Sequence, residues 1–480
     1  MKPTGVVRVG CAVLVVCSLT QPVGLPSAAA VPRPTVDPAL VPSDGPPGPD
    51  HEMRQTNLCA EPVAAAHPDV AAPAPGFAAL NVAAAWQYST GAGVSVAVID
   101  TGVNPNPRLA VAPGGDYVGG SDGLLDCDAH GTIVASIIAA APRAIALPPA
   151  GDPAPVPAAG APPRVLDGVA GVAPHATIVS IRQSSRAYQS RDAGPGDADN
   201  LRKAGTIRTL ARAVVHAANL GVKVINVSVA ACIAAGDPAD QGPLGAAVWY
   251  AAEVKDVVIV AAAGNEGEDG CAPNPVDRAR LGSDPRDWQS VKTLSSPSCF
   301  ADYVLSVGAV DPSGVPIAKS LAGPWVQAAA PGTDVIGLSP RTGLPVNAYS
   351  PARHGDELVP MWGTSFAAAY VSGVAALVRA RYPQMTAQRV IQRILQTSHN
   401  PARGVDNRVG HGMVDPVAAL TFDLSPSPAP RVGQRTRAIT PGAQPGPPDR
   451  RAQDYARVFV VMVSVVLLAA AAARRAGRAR

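Results

Sequence analysis

The feature that most restricts this chain is a repeated exchange, between residues 76 and 422, of short apolar runs for helical stretches. Residues 94–99 are a nearly unbroken apolar run that ends at Asp100. A strand buried on both faces of a parallel sheet needs such a run, whereas a strand with one wet face alternates apolar and polar residues. Residues 176–181, 222–229, 257–262, 304–310 and 326–329 repeat the pattern. Helices are predicted at 81–86, at 132–140 behind His130, at 207–220, at 244–255, at 366–381 and at 387–395. Thr206 and Thr386 stand where caps are needed, and Gly221 stands where a helix must stop. This rhythm predicts an α/β fold: a doubly wound, mostly parallel sheet with helices on both faces. In that architecture ligands sit at the carboxyl ends of the strands, where Asp100 and Asn265 both fall.

The flanking segments are of another kind. In residues 1–30, Lys2 and Arg8 precede an apolar run, and Ser27-Ala28-Ala29-Ala30 ends it with small residues. That is the pattern of a secretory signal peptide. Residues 31–75 are rich in proline and alanine without periodicity, and read as an arm that is extended on a surface or disordered. Residues 423–454 form a proline-rich linker, a composition that resists coiling. Residues 455–474 read as a transmembrane helix. Its 16 uncharged residues, 458–473, fall slightly short of the roughly 17–25 usual for a span, and Tyr455 and Arg457 can supply the rest. The basic tail 475–480 is then cytoplasmic and the bulk of the chain extracytoplasmic. Three polar stretches, 142–164, 183–204 and 266–300, read as loops. The first of these, following the histidine helix, is expected at the rim of the site and exposed to cleavage.

The formal charge of +3 belongs to these ends. Lys2, Arg8, Arg457, Arg474, Arg475, Arg478 and Arg480 lie in the two targeting segments and no acid does, so the body between them is acidic on balance. Nothing electrostatic points to a nucleic-acid partner. Without the signal segment, Cys59, Cys127, Cys232, Cys271 and Cys299 remain, an odd set for an oxidising compartment, and none lies in a CxxC spacing. Two disulfides and one free thiol are the simplest account. By placement, Cys59 with Cys127 would staple the arm to the loop before His130, and Cys232 with Cys271 would join two loops after consecutive core strands. The other pairings of these five thiols stay open.

Three fragments carry the chemistry: Asp100-Thr101-Gly102, His130-Gly131-Thr132 and Gly363-Thr364-Ser365. Each alone has an ordinary explanation, as a turn aspartate, a structural histidine and a helix-capping serine. Asn265, in Ala262-Ala263-Gly264-Asn265, has one too, as a left-handed turn residue. Together they supply a hydroxyl, an imidazole to take its proton, a carboxylate to fix the imidazole tautomer, and an amide able to donate to an oxyanion.

In this order and with these neighbours the fragments resemble the subtilisin-like serine peptidases. The resemblance covers residues 76–422. It implies Asp100 orienting His130, His130 as general base and then acid, Ser365 as nucleophile, and Asn265 with the Ser365 N–H as oxyanion donors. It also implies substrate pairing as a strand along Ser228, Val229 and Ala230, with Gly264 bordering the cleft. Two departures stand out: Ala369 replaces the proline that most members carry four residues after the nucleophile, and the arm is too short for a folded inhibitory prodomain. The segment order, from signal and cysteine-tethered arm to membrane helix and arginine tail, resembles the mycosins, membrane-anchored subtilases of type VII secretion. That implies processing of secreted protein or peptide substrates and association with the secretion complex. The alternative is a chiefly structural subunit of that complex. No cofactor or metal is expected. Calcium stays open, since family members often bind it but no loop here clusters carboxylates at a ligand spacing.

Overall fold

The computed structural model describes residues 33–143, 167–192, 203–237, 240–268, 270–276, 286, 288–350, 358–402, 404–424, 462–464 and 467–474. The expected signal peptide, the linker 423–454 apart from its first two residues, nearly half of the expected span 455–474, the basic tail 475–480 and most of the 142–164 loop lie outside them.

Seven parallel strands form the central sheet: β1 (Ser95–Asp100), β2 (Val111–Asp116), β3 (Thr177–Arg182), β4 (Val224–Val227), β5 (Val258–Ala262), β6 (Val304–Val310) and β7 (Val326–Pro331). Their order is β7-β6-β5-β4-β1-β3-β2. From β1 the chain crosses to the edge strand β2 and returns to β3 between the two, then passes to β4 on the other side of β1 and builds outward through β5, β6 and β7. The paired strands β1 and β4 thus send their connections in opposite directions, and their carboxyl ends are the switch point at which such sheets open a crevice.

Helices cover both faces, and the strands show why. Val96, Val98, Val258, Val260 and Ala262 pack into one apolar layer, with α1 (His130–Ala139), α4 (Thr364–Arg381) and α5 (Ala387–Thr397). Their neighbours Ala97, Ile99, Ile225, Ile259 and Ala261 pack into the other, with α2 (Ile207–Asn219) and α3 (Gly242–Trp249). Period-two alternation thus serves two cores at once, so both faces are mostly apolar, and polar exceptions such as Ser180, Asn226 and Ser306 are fully buried. Thr206 caps α2 through a reciprocal capping box with Thr209, and Thr386 caps α5. Beyond α3 the last turn, Tyr250–Val254, widens to a π-helix, so the expected helix 244–255 is not uniform.

The polar stretches 183–204 and 266–300 are not simply loops. Ser185–Ser190 pairs antiparallel with Met53–Gln55 of the arm and with Lys203–Ala204. Thr293–Ser296 pairs antiparallel with Ala231–Ala234. These strands are short and serine-rich, and only their partners distant in sequence make them strands, a context that local patterning does not carry.

From residue 33 the arm lies on the domain. Asp44 meets His216 at 2.9 Å, and Asp50 meets Thr206, Arg208 and Arg212. Pro62–Val63 adds to Ala348–Tyr349, and the buried Asn347 amide bonds Ala65 and Pro68. The disulfides are Cys59–Cys127 and Cys232–Cys271, and Cys299 is a buried free thiol. Residues 424–480 form a separate unit, of which 462–464 and 467–474 are helical. Among the described residues no helix is long and apolar enough to cross a membrane.

Candidate active site

Three adjacent strands deliver polar groups to one edge of the sheet. Asp100 closes β1, Ser228 follows β4 directly, and Asn265 lies three residues beyond β5. The N-termini of α1 and α4 bring His130 and Ser365 to the same edge. The sheet thus sets the carboxylate and the amide, and the helices set the imidazole and the hydroxyl.

Asp100 is fully buried, and its Oδ1 accepts from His130 Nδ1 at 2.7 Å and from the Thr101 N–H at 2.7 Å. With a carboxylate as acceptor, Nδ1 carries the proton and Nε2 is left to accept one. This approach requires Gly131: a Cβ there would meet the Gly102 carbonyl oxygen at 2.1 Å and Asp100 Cβ at 3.2 Å. Burial pulls the proton affinity of His130 down. Asp100, with Asp126 behind it, more than offsets this while Arg186 opposes, so the pKa lies above the ordinary histidine value. The His130 ring packs beside Phe366, the residue after Ser365, with centroids 5.3 Å apart.

Ser365 is the second residue of α4, not its cap; Gly363 holds that position. Its hydroxyl donates to the Ser228 carbonyl at 2.9 Å, and the Ser228 hydroxyl donates back to the Ser365 carbonyl at 3.0 Å. In this resting geometry the hydroxyl is turned onto the residue that follows β4 rather than onto His130. Catalytic hydrogen bonds are commonly loose without substrate and tighten in the Michaelis complex.

Asn265 is oriented by its oxygen. Oδ1 accepts from the Thr364 N–H and from Thr364 Oγ1, both at 3.0 Å, so Nδ2 must face the other way. Gly363 runs beside it with φ 147°, a value that favours glycine, and a Cβ there would stand 3.3 Å from Nδ2. The amide is thus presented beside the N-terminus of α4, where partial positive charge favours an anion.

Sequence reasoning missed the bracket behind the histidine. The buried Asp126 carboxylate accepts from Thr101 Oγ1 at 2.8 Å, from the Thr132 N–H at 2.8 Å and from Thr132 Oγ1 at 2.7 Å. It ties the Asp100 turn to the first turn of α1, which has no capping side chain at Ala129. Burial pushes Asp126 up to about 6, with the Thr132 and Thr101 bonds holding it from going further. The available signal was an aspartate four residues ahead of the histidine. Val229 and Ala230 continue from Ser228 along the same edge, and Gly264 precedes Asn265. Among the described residues, no group of three or more His, Cys, Asp or Glu side chains is placed to hold a metal ion.

With a hydrogen-bonded Asp–His pair, a serine at a helix N-terminus and an oriented amide on one edge of a doubly wound sheet, the site is that of a serine peptidase. The chain belongs to the subtilase family, whose profile matches residues 91–412. Within that family it groups with the mycosins. It is 52% identical to Mycosin-2 of Mycobacterium tuberculosis over a 528-residue alignment covering 95% of each chain. It is 46% identical to Mycosin-1 of the same organism, with 94% of this chain and 95% of that one covered. The solved structure of the MycP3 protease from the type VII (ESX-3) secretion system matches with a TM-score of 0.73 at 47% identity, covering 82% of this chain and 100% of that one. A chain of the intact ESX-5 inner membrane complex matches with a TM-score of 0.74 at 45% identity, covering 92% and 98%.

Proposed function

We propose that this serine peptidase works by acyl transfer through Asp100, His130 and Ser365, on the extracytoplasmic side of a membrane and attached to a type VII secretion complex. The observation that carries the chemistry is the 2.7 Å contact between His130 Nδ1 and the buried Asp100, which leaves Nε2 free to take the Ser365 proton. Ser365 attacks the scissile carbonyl, and the oxyanion is met by the Asn265 amide and the Ser365 N–H. His130 then returns its proton to the leaving amine, and water repeats the sequence on the acyl-enzyme. An extended peptide pairs with Ser228, Val229 and Ala230, with Gly264 on the opposite rim.

Export by residues 1–30 and anchoring by 455–474 follow from their composition. The secretion role is supported by the likeness to the MycP3 protease and to a chain of the ESX-5 complex. The test compares the full chain, Ser365→Ala and a variant lacking 455–474 for fluorophosphonate labelling and for secretion. Loss of labelling only in the serine variant, with secretion reduced when the helix is deleted, is the expected result. Undiminished labelling of Ser365→Ala overturns the chemistry, and undiminished secretion without the helix overturns the attachment.

The resting bond from Ser365 to the Ser228 carbonyl favours a second reading, a chiefly structural subunit with secondary proteolysis. Full secretion by Ser365→Ala would decide for it.

A further inference from the structure

The groove carries a charged pair that acyl transfer does not call on. Glu268 follows Asn265 by three residues, and its Oε2 lies 3.4 Å from Asn265 Nδ2. The same oxygen lies 3.6 Å from Arg186 Nη2. Arg186 comes from the other side of the site. It stands on the Ser185–Ser190 strand, its own N–H donates to Asp128 Oδ1 two residues before His130, and its guanidinium opposes protonation of His130. Arg186 and Glu268 thus link the histidine side of the groove to the amide side.

Their charges do opposite things to the reaction. Negative charge develops on the oxyanion as Ser365 attacks, and a carboxylate at the donating amide repels it. That carboxylate also takes one of the two Nδ2 hydrogens for itself. The guanidinium bound to the carboxylate offsets both effects. Both side chains reach solvent, Arg186 at 74% and Glu268 at 40% exposure, so neither is needed for the core.

We propose that Glu268 is a restraining positioning residue: its carboxylate draws the Asn265 amide away from the oxyanion position, and Arg186 relieves the restraint. This rests on the reading of Asn265 as an oxyanion donor. A merely structural ion pair would respond alike to loss of either partner, whereas this one responds with opposite signs.

The experiment measures the rate of labelling of the full chain in detergent by an uncharged fluorophosphonate, at low salt and at a pH on the plateau above the His130 limb, where the effect of Arg186 on His130 does not enter. In that reaction Ser365 Oγ bonds phosphorus, fluoride leaves with the bonding electrons, and the hydroxyl proton passes to His130. Glu268→Gln is expected to label about twofold to fivefold faster and Arg186→Gln slower by a similar factor, the range of exposed ion pairs. Adding Glu268→Gln to Asn265→Ala should give no gain over Asn265→Ala alone. A Glu268→Gln chain that labels no faster than the unaltered one, or an Arg186→Gln chain that labels no slower, overturns the proposal. If Asn265→Ala itself labels at the full rate, the oxyanion reading fails first. If that variant is slow and Glu268→Gln brings no gain, only the restraint fails.

Discussion

Ser228 and Ser365 hold each other by hydrogen bonds in both directions, each hydroxyl donating to the other's backbone carbonyl. Behind Ser228, the Asn226 amide donates to its hydroxyl at 2.8 Å, and Ser372 donates to Asn226 Oδ1 at 2.9 Å. Strand β4 is thereby joined to helix α4 by a buried polar chain that ends at Ser365. Ser228→Ala leaves a buried amide donor unpaired, at a cost of about 1–3 kcal/mol. Denaturant unfolding should show a lowered midpoint with an unchanged slope, and an unchanged midpoint would refute the coupling.

Asp100→Asn keeps the shape of the pair but not the tautomer, since an amide nitrogen facing Nδ1 cannot accept its proton. Turnover of a peptide substrate should fall by about 10⁴-fold. Asn265→Ala should cost about 10² to 10³. If either variant turns over substrate at the rate of the unaltered chain, its assignment is wrong.

The pH dependence follows from the charges facing His130, which are Asp100, Asp126 and Arg186. His130 must be neutral to accept a proton, and its pKa is raised. Activity should therefore rise with pH through a limb above the ordinary histidine value. Asp126→Asn removes a negative neighbour, which destabilises the imidazolium and moves the limb to lower pH. It also breaks the bracket to Thr101 and Thr132, and misplacement of this order costs up to about 10²-fold in rate. A pH–rate profile of kcat/KM checks both, and an unmoved limb with an unchanged plateau would exclude the positioning role.

The Cys59–Cys127 bond joins residues 68 apart in sequence. Replacing both cysteines by alanine should lower the unfolding free energy by about 2–5 kcal/mol. Thermal unfolding of the variant tests this, and an unshifted Tm would mean that the arm's strand pairing and ion pairs hold it unaided.

Much of this was legible because the central strands announce themselves. Val304–Val310 agrees with its expected bounds, and the strand ahead of Asp100 is offset by a single residue, since each is an apolar run buried on both faces. The fragments of the candidate site stand out in the sequence because glycine is favoured where backbone and side chain meet closely, as at Gly131 and Gly363. Arg186 and Asp126 were not. Arg186 lay in a stretch read as a polar loop, whereas it stands on a strand that pairs with the arm and with Lys203–Ala204, partners distant in sequence or unmarked by any local pattern. Asp126 needed the knowledge that Thr101 and Thr132 converge on it, which no local pattern encodes.

The bond between Cys59 and Cys127 closes a covalent ring that contains Asp100. A nick anywhere between those cysteines leaves one linked molecule until a reductant is added. On a gel, such a nicked chain would run intact when oxidised and as two fragments when reduced, so processing of the arm within the ring can escape detection under non-reducing conditions.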